Sequence, residues 1–291
     1  MPNLKEVRTR IESVNSTRQI TSAMKLVAAS KLRKAQTAIL QLRPYAHKLQ
    51  EFLQGLSSGL DQSDEAVYSD LREVKKVLLV VVTSNRGLCG AFNTNVIKKA
   101  EMLIHSTYKD QNKAGNLSIY CIGKKGAEYF KRHKYPVVAN DEELFENLNY
   151  ENALPIAEKL MADFAEKKFD RIEIIYNQFK NAAMQILINE QFLPILPPEG
   201  DDNLQANYIF EPGKEEIVRE LVPKSLKIQF FKAVLDSYAS EHGARMTAMH
   251  MATDNATELL KELRLKYNKA RQASITNEIL EIVSGAEALK G

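Results

Sequence analysis

Leu259–Ala288, LLKELRLKYNKARQASITNEILEIVSGAEA, is the stretch from which the fold follows. It is a long helix pattern that begins as a zipper seam and ends in a nearly uncharged tip, built to be gripped by another protein. Stepping back from Ser274 in alternating fours and threes gives Ser274, Ala270, Tyr267, Leu263, Leu260, Ala256, Thr253 and Met249, the seam of a helix that winds around a partner helix. The chain supplies that partner itself. Leu4, Val7, Ile11, Val14, Arg18, Thr21, Lys25, Ala28, Leu32, Ala35, Ile39, Leu42, Ala46, Leu49, Leu53 and Leu56 keep the same spacing, and thirteen of these sixteen are apolar. Two such helices, one at each terminus with a globular stretch between, pair antiparallel because the intervening domain returns the chain. The other arrangement, an ordinary helical bundle, lacks a third helix of comparable length.

The first helix pattern starts near Asn3, which can cap it, and runs to about Ser57. Pro44 lies inside it, so a kink about one turn earlier is expected. The polar seam positions Arg18, Thr21 and Lys25 cost stability and fix register, or mark where the supercoil opens toward another partner. The second pattern runs from Lys214 to about Ala288, and Pro223 is expected to split its beginning into two pieces. It outruns the first, so its tip lacks a coiled-coil partner.

Between the two the period changes. Val74–Thr83, VKKVLLVVVT, is a continuous β-branched run of the kind found in a central parallel strand covered on both faces. A helix over Thr94–Tyr108, a strand over Leu117–Ile122, a helix over Gly126–His133, a strand over Tyr135–Val138 and a helix over Ala153–Lys168 follow. Strands Arg171–Phe179 and Met184–Phe192 close the region as a hairpin turned at KNAA. The fold class is therefore α/β: a long antiparallel coiled coil of N- and C-terminal helices with an inserted Rossmann-like, doubly wound α/β domain. The expected parts are residues 1–58, 74–196 and 208–291.

The loop after the first strand, SNRGLCGAFN, sits where such folds bind phosphate. Gly87 and Gly90 give G-x-x-G, which matches neither phosphate-cradling spacing, and no acidic residue ends the second strand to hold a ribose. The expectation is a tight turn that needs two residues without side chains. His47, His105, His133, His242 and His250 are expected on exposed or seam-adjacent helical positions with no carboxylate or histidine companion four residues on, so no metal face forms. No nucleophile elbow appears. No catalytic residue, cofactor or metal is expected.

Composition bounds little: 291 residues, 44% hydrophobic and 26% charged, fit one or two ordinary domains. No stretch reaches the ~18 apolar residues of a membrane span, and MPNLKEVRTRIE lacks the apolar core of a signal peptide. Cys89 and Cys121 fit no metal spacing and read as reduced structural thiols, which points to a cytosolic compartment. Charge is uneven. Residues 1–50 carry ten lysines or arginines against Glu6 and Glu12, a net +8. Such a helix meets nucleic acid, an acidic protein or only solvent, and with Tyr45 and Phe52 as its aromatics an acidic protein fits better than a nucleic acid.

The chain resembles the gamma subunit family of F-type ATP synthases over essentially its whole length. Ile275–Ala288 follows that family's I-T-x-E-x-x-[DE]-x-x-x-G-A at every fixed position, and ITSAMKLVAASKLRKAQ (20–36), EHGARMTAMHMATDNA (241–256) and YNKARQASIT (267–276) are similarly typical. One departure is local: the family's SDRGLCGGFN reads with Asn85 for Asp and Ala91 for Gly here. The resemblance implies a non-catalytic rotor shaft, one copy per complex, inside an alpha3beta3 ring, with its base on a membrane-embedded c ring. It implies beta-subunit contacts at Met24, Lys25, Arg271, Gln272, Thr276, Glu278 and Glu281. It implies a foot at Tyr208, Ile209, Phe210 and Glu211 on the c ring and epsilon subunit, and a peripheral position on the cytoplasmic side of a bacterial plasma membrane. Nucleic acid is not an implied partner. A coiled-coil tether or nucleic-acid organiser, and a nucleotide-dependent α/β enzyme, are the competing classes; salt-sensitive nucleic-acid binding and nucleotide binding by the middle domain would mark them.

Overall fold

A computed structural model describes residues 4–56, 64–195 and 214–288. Its centre is β1 (Val77–Val82), six residues with no exposed surface. Around it lie β2 (Leu117–Ile122), β3 (Val137–Asp141), β4 (Arg171–Phe179) and β5 (Gln185–Leu193), in the order β3-β2-β1-β4-β5. β1 pairs parallel with β2 and β4, opposing Val77 to both Leu117 and Arg171. β2 and β3 are also parallel, and only β5 runs antiparallel, to β4. A strand buried on both faces has no polar side to show, which is why β1 reads as an unbroken apolar run.

Leu78, Val80 and Val82 face α5 (Tyr150–Ala165) and the Val222–Val234 part of α6 (Lys214–Ala288). Val77, Leu79 and Val81 face α2 (Phe92–His105) and α4 (Lys124–Arg132). Asn149 caps α5 by accepting the Asn152 N–H at 2.7 Å. A short helix, α3 (Lys109–Lys113), and two single 3-10 turns, Asp64–Ser69 and Glu143–Phe145, complete the connections.

α1 (Leu4–Leu56) and α6 are each divided between two compact units, Met1–Ala28 with Met246–Gly291, and Ala29–Arg245. In the first unit the expected seam is the buried one: Val7, Thr21, Ala28, Met249, Ala256, Leu260 and Leu263. Thr253 Oγ1 lies 2.8 Å from Thr21 Oγ1, and Thr21 donates to the Arg18 carbonyl at 3.0 Å. A polar pair in an apolar seam satisfies itself only in one register. In the second unit the charge of Lys31 acts on Glu241, while Arg43 meets Asp236 at 3.3 Å, so α1 and α6 run in opposite directions there.

Some boundaries differ from expectation. β1 begins at Val77 because the Lys75 and Lys76 N–H groups donate to Asp170 Oδ2 rather than to a ladder. β3 extends to Asp141 despite its polar end, because Asp141 accepts from the Tyr120 hydroxyl and its carbonyl accepts the Gly123 N–H. α6 is one helix through Pro223, not two. Pro223 has no N–H to donate within the helix, but Arg219 and Glu220 there are exposed to water, while Val222 and Leu226 are buried and hold the turn. α1 continues across Pro44, as the resumption of its seam at Ala46 and Leu49 predicts.

Gly123 joins β2 to α4 at φ 98°, and a Cβ there would overlap the Thr83 carbonyl at the end of β1. Gly123→Ala therefore meets both a left-handed backbone and main-chain atoms that cannot yield. It is expected to destabilise the protein by ~3 kcal/mol or more, measured as a shift in denaturant midpoint.

Candidate functional site: the helix socket and the exposed tip

In an open α/β sheet ligands bind beyond the carboxyl ends of the strands, where the strand order reverses; here that is between β1 and β4. This chain fills the place with its own helix. From Phe230 to Arg245 no residue of α6 is exposed. Ser240 Oγ donates to the Asn177 carbonyl of β4 at 2.9 Å, and a Cβ on Gly243 would lie 3.2 Å from Ala182 Cα in the β4–β5 turn. Small residues let the helix come that close.

Arg245 completes the socket. Its Nη2 donates to the carbonyls of Arg86 and Gly87 at 2.8 and 3.2 Å, and its Nη1 to Glu241 Oε1 at 2.5 Å. The loop holds this shape through Leu88 and Gly90, both at positive φ (63° and 59°). It is buttressed by Ser84 Oγ donating to Arg86 O at 2.7 Å and Asn93 Oδ1 accepting from Ser84 N at 2.9 Å. A phosphate loop turns N–H groups inward; this loop turns carbonyls inward and takes a cation from the same chain. The expectation that both glycines are required is corrected: Gly90 supplies a positive φ, whereas Gly87 has an ordinary backbone and open space around its Cα.

His242 sits beside this ion pair, edge-on to Tyr238 with ring centroids 4.4 Å apart. Arg245 Nη1 lies 3.4 Å from Nδ1, which must accept, leaving the ring neutral with its proton on Nε2. Burial, then the charges of Arg245 and Lys31, push the imidazole down to about 3. Burial also pushes the carboxyls of Glu241 and Asp236 up, against the pull of Arg245 and Arg43. Two histidine expectations are thereby corrected. His242 is buried, and His250 does have a carboxylate four residues on, Asp254 at 3.4 Å. The side chain of His47 lies outside the described residues. Cys89 and Cys121 are buried free thiols, and burial raises both, Cys121 to about 12. Among the described residues no cluster of histidine, cysteine and carboxylate groups has metal-binding form.

The residues expected to meet beta subunits are in the unit Met1–Ala28 with Met246–Gly291. Met24 and Lys25 are half-buried on α1; Arg271, Gln272, Thr276, Glu278 and Glu281 are exposed on α6. Thr276 Oγ1 donates to the Gln272 carbonyl at 2.9 Å, and Ser274 Oγ to Glu278 Oε1 at 3.3 Å. With Thr21 paired to Thr253, Arg271 is eighteen residues further along α6, roughly 27 Å of helix, so these residues form two separate patches. Tyr208, Ile209, Phe210 and Glu211 lie outside the described residues. From Ile275 to Ala288 every described side chain is exposed, Ile279, Leu280, Ile282 and Val283 included.

A family profile described as ATP synthase matches residues 3–289. The ATP synthase gamma chain of Christiangramia forsetii is 58% identical over 291 residues, covering all of both chains. The chain belongs to the ATP synthase gamma family. The gamma chain of Flavobacterium psychrophilum is 57% identical over 292 residues, again covering both chains completely. Among solved structures, the central stalk and c ring of the Tetrahymena thermophila mitochondrial ATP synthase matches with TM-score 0.60 and 25% identity, covering 80% of this chain and 99% of that one. The Euglena gracilis ATP synthase in its third rotational state shares the fold with TM-score 0.71 at 21% identity, covering 98% and 94%.

Two outcomes follow for the socket. Arg245→Met leaves Glu241 buried without its cation and is expected to cost ~3–5 kcal/mol; Glu241→Leu on that background should restore much of it, as a double-mutant cycle in urea will show. For His242, the unfolded chain takes up a proton near pH 6.5 and the folded one only near 3. Stability present above pH 6.5 is therefore lost as pH falls through that window, by up to ~1.4 kcal/mol per pH unit. Glu241 and Asp236, with raised values, act in the opposite sense. The measurement is thus the difference in unfolding free energy between wild type and His242→Gln at pH 7, 6 and 5, which should shift toward the variant as pH falls.

Proposed function

We propose that this chain is the central shaft of an F1Fo ATP synthase, turning with a c ring and driving binding changes in catalytic beta subunits while catalysing nothing itself. The observation that carries the reading is full-length kinship with gamma chains, joined to a helix whose last described turns carry apolar side chains left exposed among the described residues. One copy would stand in an alpha3beta3 ring, with Tyr208–Glu211 as the foot on the c ring and epsilon subunit. Met24 and Lys25 would meet an acidic beta loop. Arg271, Gln272, Thr276, Glu278 and Glu281 would form the second contact, a guanidinium fork and an amide reaching outward from the seam. No cofactor or metal is needed for this role. The complex would lie on the cytoplasmic side of a bacterial plasma membrane, with this chain peripheral; no described helix is long and apolar enough to cross a membrane.

Arg271→Ala with Gln272→Ala tests the contact. Both side chains are exposed, so the melting of the isolated subunit should change by no more than about 0.5 kcal/mol. In the assembled complex, each charge-assisted hydrogen bond lost is worth ~1.5–3 kcal/mol, and ATP hydrolysis should fall by about tenfold or more. An unaltered rate in complexes of verified stoichiometry would assign these two side chains to solvent.

A further inference from the structure

Thr253 Oγ1 lies within reach of two acceptors, Thr21 Oγ1 at 2.8 Å and the Met249 carbonyl at 2.7 Å, and Thr21 Oγ1 reaches the Arg18 carbonyl at 3.0 Å. Each hydroxyl has one proton to give, so the three contacts share two protons. In one arrangement Thr253 donates across the seam to Thr21, and Thr21 donates to Arg18. In the other, Thr253 turns back to Met249 while Thr21 keeps Arg18, and each proton is held by a carbonyl of its own helix. The cross-seam bond exists in one register only. Breaking a buried hydrogen bond ordinarily strands a donor, yet this one can go without stranding either proton.

The closed seam also carries a cost at the same level. Arg18, one turn from Thr21 and half-buried, donates from Nη2 to Asn15 Oδ1 at 3.2 Å, but its Nε is enclosed with no hydrogen-bond partner among the described residues. A guanidinium N–H shut away from water is unfavourable, and parting the helices there hydrates it. Little apolar area resists. The side chains buried around the pair are small, Thr21, Ala28 and Ala256 with one Met249, whereas Leu260 and Leu263 hold the next turns toward the tip.

We propose that Thr21 and Thr253 form a latch at which α1 and α6 part reversibly. The threonines turn to their own carbonyls, water reaches Arg18 Nε, and both helices stay intact. The opening is a property of the chain itself; its use rests on the shaft reading, in which it lets Met24 and Lys25 turn against Arg271 and Gln272 without melting either helix.

The test is alkylation of single seam thiols in the full-length chain by iodoacetamide without denaturant, each rate divided by that of the same thiol in the urea-unfolded chain. Cys89 and Cys121, both buried, are the internal standards for global unfolding. Ala256→Cys leaves both hydroxyls in place, and its thiol should react on the order of 100-fold faster than either standard, through local opening. Arg18→Met removes the enclosed N–H and should slow that reaction about tenfold. Thr21→Val with Thr253→Val should slow it as well, because opening then wets only apolar groups. Either variant is folded if Cys89 and Cys121 stay protected; where one is not, the other variant decides. Leu263→Cys, nearer the start of α1, should react more slowly than Ala256→Cys. Equal rates for Ala256→Cys and Cys121, a folded Arg18→Met or double-valine variant that reacts as fast as its parent, or a Leu263→Cys thiol that reacts first, which marks fraying from the helix end, would each overturn the latch. Copurification of the wild-type chain with two kinds of ATP-binding subunit reports separately on the shaft reading; its absence would sink that reading whatever the thiols show.

Discussion

The guanidinium of Arg245 on the carbonyls of Arg86 and Gly87 is the interaction on which the middle of this molecule depends. A buried charge is tolerated only when its partners replace the water it loses. Glu241 and two inward-turned carbonyls do that here, and they do it at the place where a doubly wound fold would otherwise admit an anionic ligand. The fold has kept the loop and reversed its polarity. The features nearby follow from holding a helix there: Ser240 and Gly243 allow close approach, and Leu88 and Gly90 bend the loop so that its oxygens face inward.

α6 therefore changes character along its length. Between Phe230 and Arg245 none of its residues is exposed, because sheet, turn and α1 lie against it in that unit. From Met249 to Leu263 it buries a narrow seam of the 4-3 kind, sufficient for one partner helix. Beyond Ile275 it buries nothing. One continuous helix passes through three environments, and only the side chains register the changes.

That explains what was legible in the sequence. The seams were readable because a 4-3 spacing has a single physical cause, and β1 and β2 because buried parallel strands leave few polar positions. β2 and β4 fell on their expected residues, Leu117–Ile122 and Arg171–Phe179. The socket was not legible. Glu241, His242 and Arg245 have the residue types of a solvated helix face, and only the glycine within that run and the four-residue spacing of Glu241 and Arg245 hint at burial. A buried ion pair whose partners are main-chain carbonyls leaves no periodic trace. β3 was read early for a related reason: its polar end is paid for by Tyr120, a residue of the neighbouring strand.

The tip presents the remaining constraint. Ile275, Ile279, Leu280, Ile282 and Val283 are about half exposed or more, and full burial of each would be worth roughly 1.5–3 kcal/mol. Helices that face water on every side carry polar side chains around their circumference; this one does not, so its sequence is fitted to a surface outside the chain. The aliphatic stripe says something about that surface too. Ion pairs and bidentate hydrogen bonds fix an orientation, whereas aliphatic contact is non-directional and depends on area alone. A shaft end lined this way can be enclosed and still turn, while the directional groups, Arg271 and Gln272, sit where the seam ends and a contact that makes and breaks with angle would be useful.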